Sequence, residues 1–183
     1  MKNHLIPGIR LTFFCLLLLT IAYHLLLWLM AQGLDHKGEG ERIAGKYYKQ
    51  IGQSFTADHY FWSRPSAVNY NAAGSGGSNK GPSNADYLGE VQTRLDTFLK
   101  KNPSLSASDV PVDLLTASGS GLDPHLSVKA AEVQIDRIAK ARNLNPERLR
   151  LLVQRQIEKP LLGPEKIHVL QLNLALDKLS PTK

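Results

Sequence analysis

The sequence predicts an α+β chain, with one N-terminal transmembrane helix followed by a single soluble domain of mixed helices and strands. Three observations predict it. The stretch Leu11 to Ala31 (LTFFCLLLLTIAYHLLLWLMA) carries no charged side chain over twenty-one residues. About 150 residues follow, enough for one domain with its own core. Within them, capped stretches of three- and four-residue apolar spacing interrupt short β-like runs, and no later run reaches eighteen apolar residues.

The apolar stretch comes first. As a helix rising ~1.5 Å per residue it is about 31 Å long, matching a hydrocarbon core of ~30 Å. Twelve of its positions are Leu, Ile or Phe. At ~0.3 to 0.6 kcal/mol each near the bilayer centre, they favour insertion by roughly 4 to 7 kcal/mol. His24 opposes insertion but can enter as a neutral imidazole. A cleaved signal peptide would have a shorter apolar region and a small-x-small site. Here Trp28-Leu29-Met30-Ala31-Gln32 follows, so an uncleaved anchor is expected. Lys2 and Arg10, with no acid before the helix, favour a cytoplasmic N-terminus and an extracytoplasmic domain, although Lys37, Arg42, Lys46 and Lys49 pull the other way. Thr20, His24 and Trp28, spaced by four, form one polar stripe suited to a protein neighbour.

The expected organisation is a tail (1–10), the transmembrane helix (11–31), a polar juxtamembrane linker (32–46) and the soluble domain (47–183). Cys15, the one cysteine, lies in the apolar run, so the soluble part must be held together by burial rather than disulfides. The net charge of +6 becomes +4 once Lys2 and Arg10 are set aside. The helical region Ser127 to Lys159 carries eight Lys or Arg against four Asp or Glu, a surplus suited to solvated faces and too small to indicate nucleic acid.

Along the soluble part, Tyr47 to Phe55 reads as a short strand or turn, and Tyr60-Phe61-Trp62 as a core or interface anchor. Asn69 to Asn84, with four glycines, reads either as a flexible surface loop or as a backbone cradle. Ser83 and Asn84 can cap a helix to about Lys101 with Leu88, Val91, Leu95, Phe98 and Leu99 on one face. Val110, Val112 and Leu114 alternate as a strand would. Ser118 to His125 is a small-residue turn leading to a helix capped by Ser127, with Val128, Ala131, Ile135 and Ile138 buried. Asn145-Pro146 opens another, whose inner stripe is Leu149, Leu152, Val153, Gln156 and Ile157. Ile167-His168-Val169 reads as a strand and Leu172, Leu176 and Leu179 as a helix, with the switch between them unplaced.

Ser118, Ser120, Asp123 and His125 invite a hydrolase reading, since a hydroxyl nucleophile needs an imidazole base and an orienting acid. The alternative function is therefore a membrane-anchored extracytoplasmic hydrolase using Ser120 and His125. Yet the serines stand in S-G-S-G-L rather than G-x-S-x-G, and local turn bonding explains the same residue types. The six histidines show no paired ligand spacing, so no metal site is expected.

Six blocks carry a more specific signal: I-G-Q-S-F (51–55), Y-F-W-S-R-P-S-A (60–67), S-G-G-S-N-K-G-P-S-N (75–84), V-P-V-D-L-L-T-A-S-G-S-G-L-D-P-H-L-S (110–127), R-I-A-K-A-R-N-L (137–144) and V-L-Q-L-N-L-A-L-D (169–177). In this order, behind a single membrane helix, they resemble the KdpC subunit family of the bacterial Kdp potassium-transporting P-type ATPase. Two departures stand out. Ala44 to Gln50 replaces the usual V-G-S-small-Leu run, and the segment at Asn69-Tyr70-Asn71 is short. The resemblance implies a non-catalytic accessory subunit in the plasma (inner) membrane, partnered by a KdpA-like potassium-conducting subunit, a KdpB-like ATPase subunit and a small KdpF-like subunit, as well as by membrane lipid. It implies K⁺ as the ion transported by the complex, and a catalytic chaperone role that raises the ATP affinity of the ATPase subunit, with no cofactor held by this chain alone. An outside domain cannot touch cytosolic nucleotide, so an effect on ATP would have to run through the helix or tail. Implied interface candidates are Thr20, His24, Trp28, Gln53, Tyr60, Phe61, Arg64, Ser66, Ser118, Ser120, Asp123 and His125.

Overall fold

The computed structural model describes residues 2–35 and 37–180. His36, one of the six histidines, and the last three residues of the expected domain lie outside the described residues. The chain divides into two compact units, Met1–Tyr48 and Lys49–Lys183.

In the first unit, α1 (Lys2–Leu17) passes through a π-helical turn (Leu18–Ala22) into α2 (Tyr23–Gln32). The helix begins nine residues before the apolar run because Leu5, Ile6 and Ile9 extend the same kind of surface. Pro7, near the start, forfeits only one hydrogen bond. His4–Gln32 is long and apolar enough to cross a membrane, and 0% of its most apolar window is buried. The polar stretch that follows contains a hairpin. Strand β1 (Arg42–Ile43) pairs antiparallel with β2 (Tyr47–Tyr48). Ala44 and Gly45 take positive φ at the turn, and Arg42 stacks over the Tyr48 ring at 4.9 Å.

The second unit is built on an antiparallel sheet of order β3-β5-β4, from β3 (His125–Ser127), β4 (Ile157–Glu158) and β5 (Lys166–His168). His125 lies opposite His168, and Ile157 opposite Ile167. Around it pack α3 (Ala85–Lys101), α4 (Val128–Glu132), α5 (Ile135–Arg142), α6 (Pro146–Arg155) and α7 (Val169–Leu179). One core cluster joins Phe61, Ile135, Ile138, Leu149, Ile167, Leu172 and Leu176. The other joins Phe98, Val110, Leu114, Leu126 and Val169.

Several caps fall where the sequence places them. The Asn84 side chain accepts from Tyr87 N, Ser127 from Ala130 N and Asn145 from Glu147 N, each satisfying a helix-start donor. The switch left open near residue 170 sits at His168, which ends β5 and is the N-cap of α7.

Other expectations fail for local reasons. Val110, Val112 and Leu114 do not form a strand. Asp109 bonds both the backbone and the hydroxyl of Ser106, Pro111 has no N–H for a ladder, and two 3₁₀ turns result (Ala107–Asp109, Val112–Leu114). Val110 and Leu114 are buried while Val112 is 68% exposed, so the three do not share a face. The helix after Ser127 breaks at Val133-Gln134, where the Gln134 side chain serves the segment before Arg64. Helix α6 stops at Arg155, and Ile157 leaves the expected helical stripe to pair with β5.

Candidate functional site

The segment Asp58 to Tyr70 has no strand partner, so its backbone polar groups need others. Side-chain amides supply them. Asn173, 1% exposed, accepts from Phe61 N at 2.9 Å and donates to Phe61 O at 3.0 Å. Gln134, 0% exposed, accepts from Trp62 N at 2.7 Å. The Arg137 guanidinium donates to Asp58 O and Tyr60 O and lies 4.7 Å from the Trp62 ring centre. Burial lowers its pKa to about 10, with Asp58 opposing, so it stays charged at neutral pH. Arg142 donates to His59 O and Asp177, and Asp177 also accepts from the Tyr60 hydroxyl at 3.0 Å. Phe61 is fully buried, which makes it a core anchor.

Beyond this spine the chain forms a braced corner. Ser63 donates to Gln53 O at 2.5 Å, and Gly52 N donates to Leu122 O at 2.7 Å. A Cβ on Gly52 would stand 2.8 Å from Asp123 O, so only glycine lets these two stretches approach. The Ser66 hydroxyl donates to Gly121 O and accepts from Val68 N and Tyr70 N. The Tyr70 hydroxyl donates to Arg64 O, and burial pushes its pKa up to about 12. Gly76 N and the Ser75 hydroxyl both donate to Ser120 O, which seats the glycine-rich stretch against the corner. Gly121, at φ +69°, leaves space there that a Cβ would fill 2.6 Å from Val68.

At the centre, Arg64 pairs with Asp123 at 2.8 Å, and Asp123 also meets His125 through the backbone N–H (3.0 Å) and Nδ1 (3.1 Å). Burial alone would raise the Asp123 pKa. The hydrogen bonds from His125 and the charge of Arg64 outweigh it, and the value falls to about 2. The other His125 nitrogen is 3.8 Å from Glu158, and its ring lies edge-on to His168 at 5.3 Å between centres. His168 Nε2 donates to Lys49 O at 2.7 Å, and burial holds this imidazole below its ordinary pKa.

The structure therefore brings Gln53, Arg64, Ser66, Ser120, Asp123 and His125 to one corner, with Ser118 joined to it where its carbonyl accepts from Gly121 N at 3.2 Å, puts Tyr60 and Phe61 in the neighbouring spine, and leaves Thr20, His24 and Trp28 on the long apolar helix. The hydrolase geometry is not formed. The Ser120 hydroxyl accepts from Leu122 N at 3.1 Å, while the two His125 nitrogens face Asp123 and Glu158. Among the described residues, no group of three or more His, Cys, Asp or Glu is placed to hold a metal.

Sequence reasoning missed one surface feature. Leu161 and Leu162, in the β4–β5 connection, are 98% and 88% exposed between Pro160 and Gly163-Pro164. The signal was an apolar pair between prolines, legible as a loop but not as a projecting tip.

Residues 5–178 match the family model described as KdpC: K+-transporting ATPase, c chain. The chain is 51% identical to the potassium-transporting ATPase KdpC subunit of Flavobacterium johnsoniae, over 98% of this chain and 100% of that one. It is 44% identical to that of Bacteroides fragilis, covering 96% and 97% of the two chains. Against that of Bacillus cereus it is 41% identical, with 97% of each covered. With a match that spans both the membrane-length helix and the braced corner, the chain belongs to the KdpC family, the c chain of potassium-transporting ATPases.

Proposed function

We propose that this chain is a non-catalytic accessory subunit that holds a potassium-transporting ATPase together, packing its helix among the membrane helices of a KdpA-like channel subunit, a KdpB-like ATPase subunit and a small KdpF-like subunit. The observation that carries this reading is membership of the KdpC family joined to a membrane-length helix with no buried residue in its most apolar window. The N-terminus lies in the cytoplasm and the domain outside the plasma membrane, an orientation supported by the positive, acid-free tail. The domain docks on the outer face of the channel-like subunit. The rigid corner around Arg64, Asp123 and His125 supports a shape-bearing role rather than a chemical one. Any rise in the ATP affinity of the ATPase subunit is transmitted through the helix, without nucleotide contact by the domain.

The Leu161-Leu162 tip is the second docking element. Its neighbouring charges pair with one another, Lys159 with Glu165 at 3.1 Å and Lys166 with Glu158 at 3.9 Å. That leaves an apolar knob ringed by neutralised polar groups, a form suited to a protein pocket. Burying two leucines is worth roughly 3 to 6 kcal/mol. Replacing both (Leu161→Asp with Leu162→Asp) is expected to cut recovery of the pump subunits with the tagged chain by about tenfold or more, since every ~1.4 kcal/mol is tenfold. The thermal melting of the chain should stay near that of the parent, because neither leucine is in the core. Undiminished recovery would contradict docking through this tip.

A further inference from the structure

The π-helical turn changes what the membrane helix offers to a neighbour. In a regular α-helix the Leu19 carbonyl would accept from Tyr23 N. Here Tyr23 N donates to Leu18 O, five residues back, and the Leu19 carbonyl is met by His24 Nδ1 at 3.1 Å. A carbonyl only accepts, so Nδ1 must carry the proton. In the neutral ring the other nitrogen, Nε2, is then a bare acceptor. Thr20, one turn earlier, is arranged alike: its hydroxyl donates to Leu16 O at 2.5 Å, so its proton is engaged and only oxygen lone pairs face outward. Both side chains are exposed on the lone helix. His24 stands seven residues before the end of the apolar run, about 10 Å inside it at ~1.5 Å per residue, beyond the reach of a short ring toward water.

We propose that Thr20 and His24 form an acceptor pair that takes hydrogen bonds from hydroxyl or amide donors on one neighbouring transmembrane helix of the pump. The chemistry of the partner follows from the tautomer: Ser, Thr, Tyr, Asn or Gln at matching depth fits, and a surface of bare carbonyls does not. The inference rests on the reading of this helix as an assembly element and adds the polarity of the contact. Hydrogen bonds between membrane helices are worth enough to shift association by about 3- to 15-fold.

The test uses the full-length tagged chain expressed with its pump subunits, reading the fraction of subunits retained through a detergent wash series. His24→Phe keeps an aromatic ring and removes the acceptor, and should lower retention by about 3- to 15-fold. His24→Gln restores an amide oxygen close to the Nε2 position and should return retention to within about twofold of the parent. Thr20→Val should weaken retention in the same direction as His24→Phe. Parental retention by His24→Phe, or equal loss with Phe and Gln, would overturn the acceptor pair. Replacing residues 11–31 by polyleucine separates the two levels. Full retention there removes the assembly reading itself, whereas loss there with parental His24→Phe removes only the hydrogen-bond inference.

Discussion

Phe61→Ala should destabilise the second unit by about 3 to 5 kcal/mol, a large share of the ~5 to 15 kcal/mol that holds a typical domain. The ring is wholly buried in the cluster that includes Ala131, Ile135, Ile138, Leu149, Ile167, Leu172 and Leu176, so truncation removes apolar burial and leaves a cavity in a cluster fed by four helices and the sheet. Its backbone is fixed at both polar atoms by Asn173, which prevents the segment from sliding to fill the hole. A denaturant titration of the full-length protein in detergent, followed by Trp62 fluorescence in a Trp28→Phe background, gives the measurement. Trp62 lies edge-on to Phe98 at 5.9 Å and should report loss of packing directly. A midpoint unchanged from that of the parent would contradict the spine described above. Asn173→Leu should also be destabilising, because it leaves a buried N–H and C=O without partners at about 1 to 3 kcal/mol each.

Removing residues 1–31 should abolish recovery of the pump subunits while leaving the second unit folded. The reason is the division of labour between the two units: Lys49–Lys183 contains both core clusters, whereas the helix has 0% burial over its apolar window and contributes nothing to either core. Circular dichroism and melting of the truncated chain test the first half, and co-purification tests the second. Unchanged assembly and transport after truncation would contradict the anchoring role.

The α+β class and the membrane-length helix were legible because both rest on composition and period, which survive whatever the tertiary context does. The caps at Asn84, Ser127 and Asn145 were legible because a helix start is a local problem with a local solution. Of the sheet strands, β5 was legible in part, from Ile167-His168, whereas β3 and β4 were not. These two have three and two residues, too short for alternation to register, and Ile157 satisfied a helical stripe as well as a ladder. The candidate corner was legible as blocks and as residue types, but its construction was not. Nothing in Gly52, Ser66 or Gly121 taken singly says that Ile51–Phe55, Ser66–Tyr70 and Ser75–Gly77 brace one turn; that depends on contacts across more than forty residues. Nothing in the sequence singles out Asn173 or Gln134. Their role as substitutes for a neighbouring strand appears only once the Phe61-Trp62 backbone lies beside them.

As a structural subunit of a potassium pump, this chain should carry the pump's activity with it. Affinity purification of the full-length tagged chain from membranes of cells expressing it with its partner subunits, followed by an assay of potassium-stimulated ATP hydrolysis in the eluate, tests it most directly. The ATPase activity should co-elute with the tagged chain and be lost from the eluate when residues 1–31 are removed. Recovery of the full-length chain alone, with the potassium-stimulated activity left intact in the unbound fraction, would contradict it.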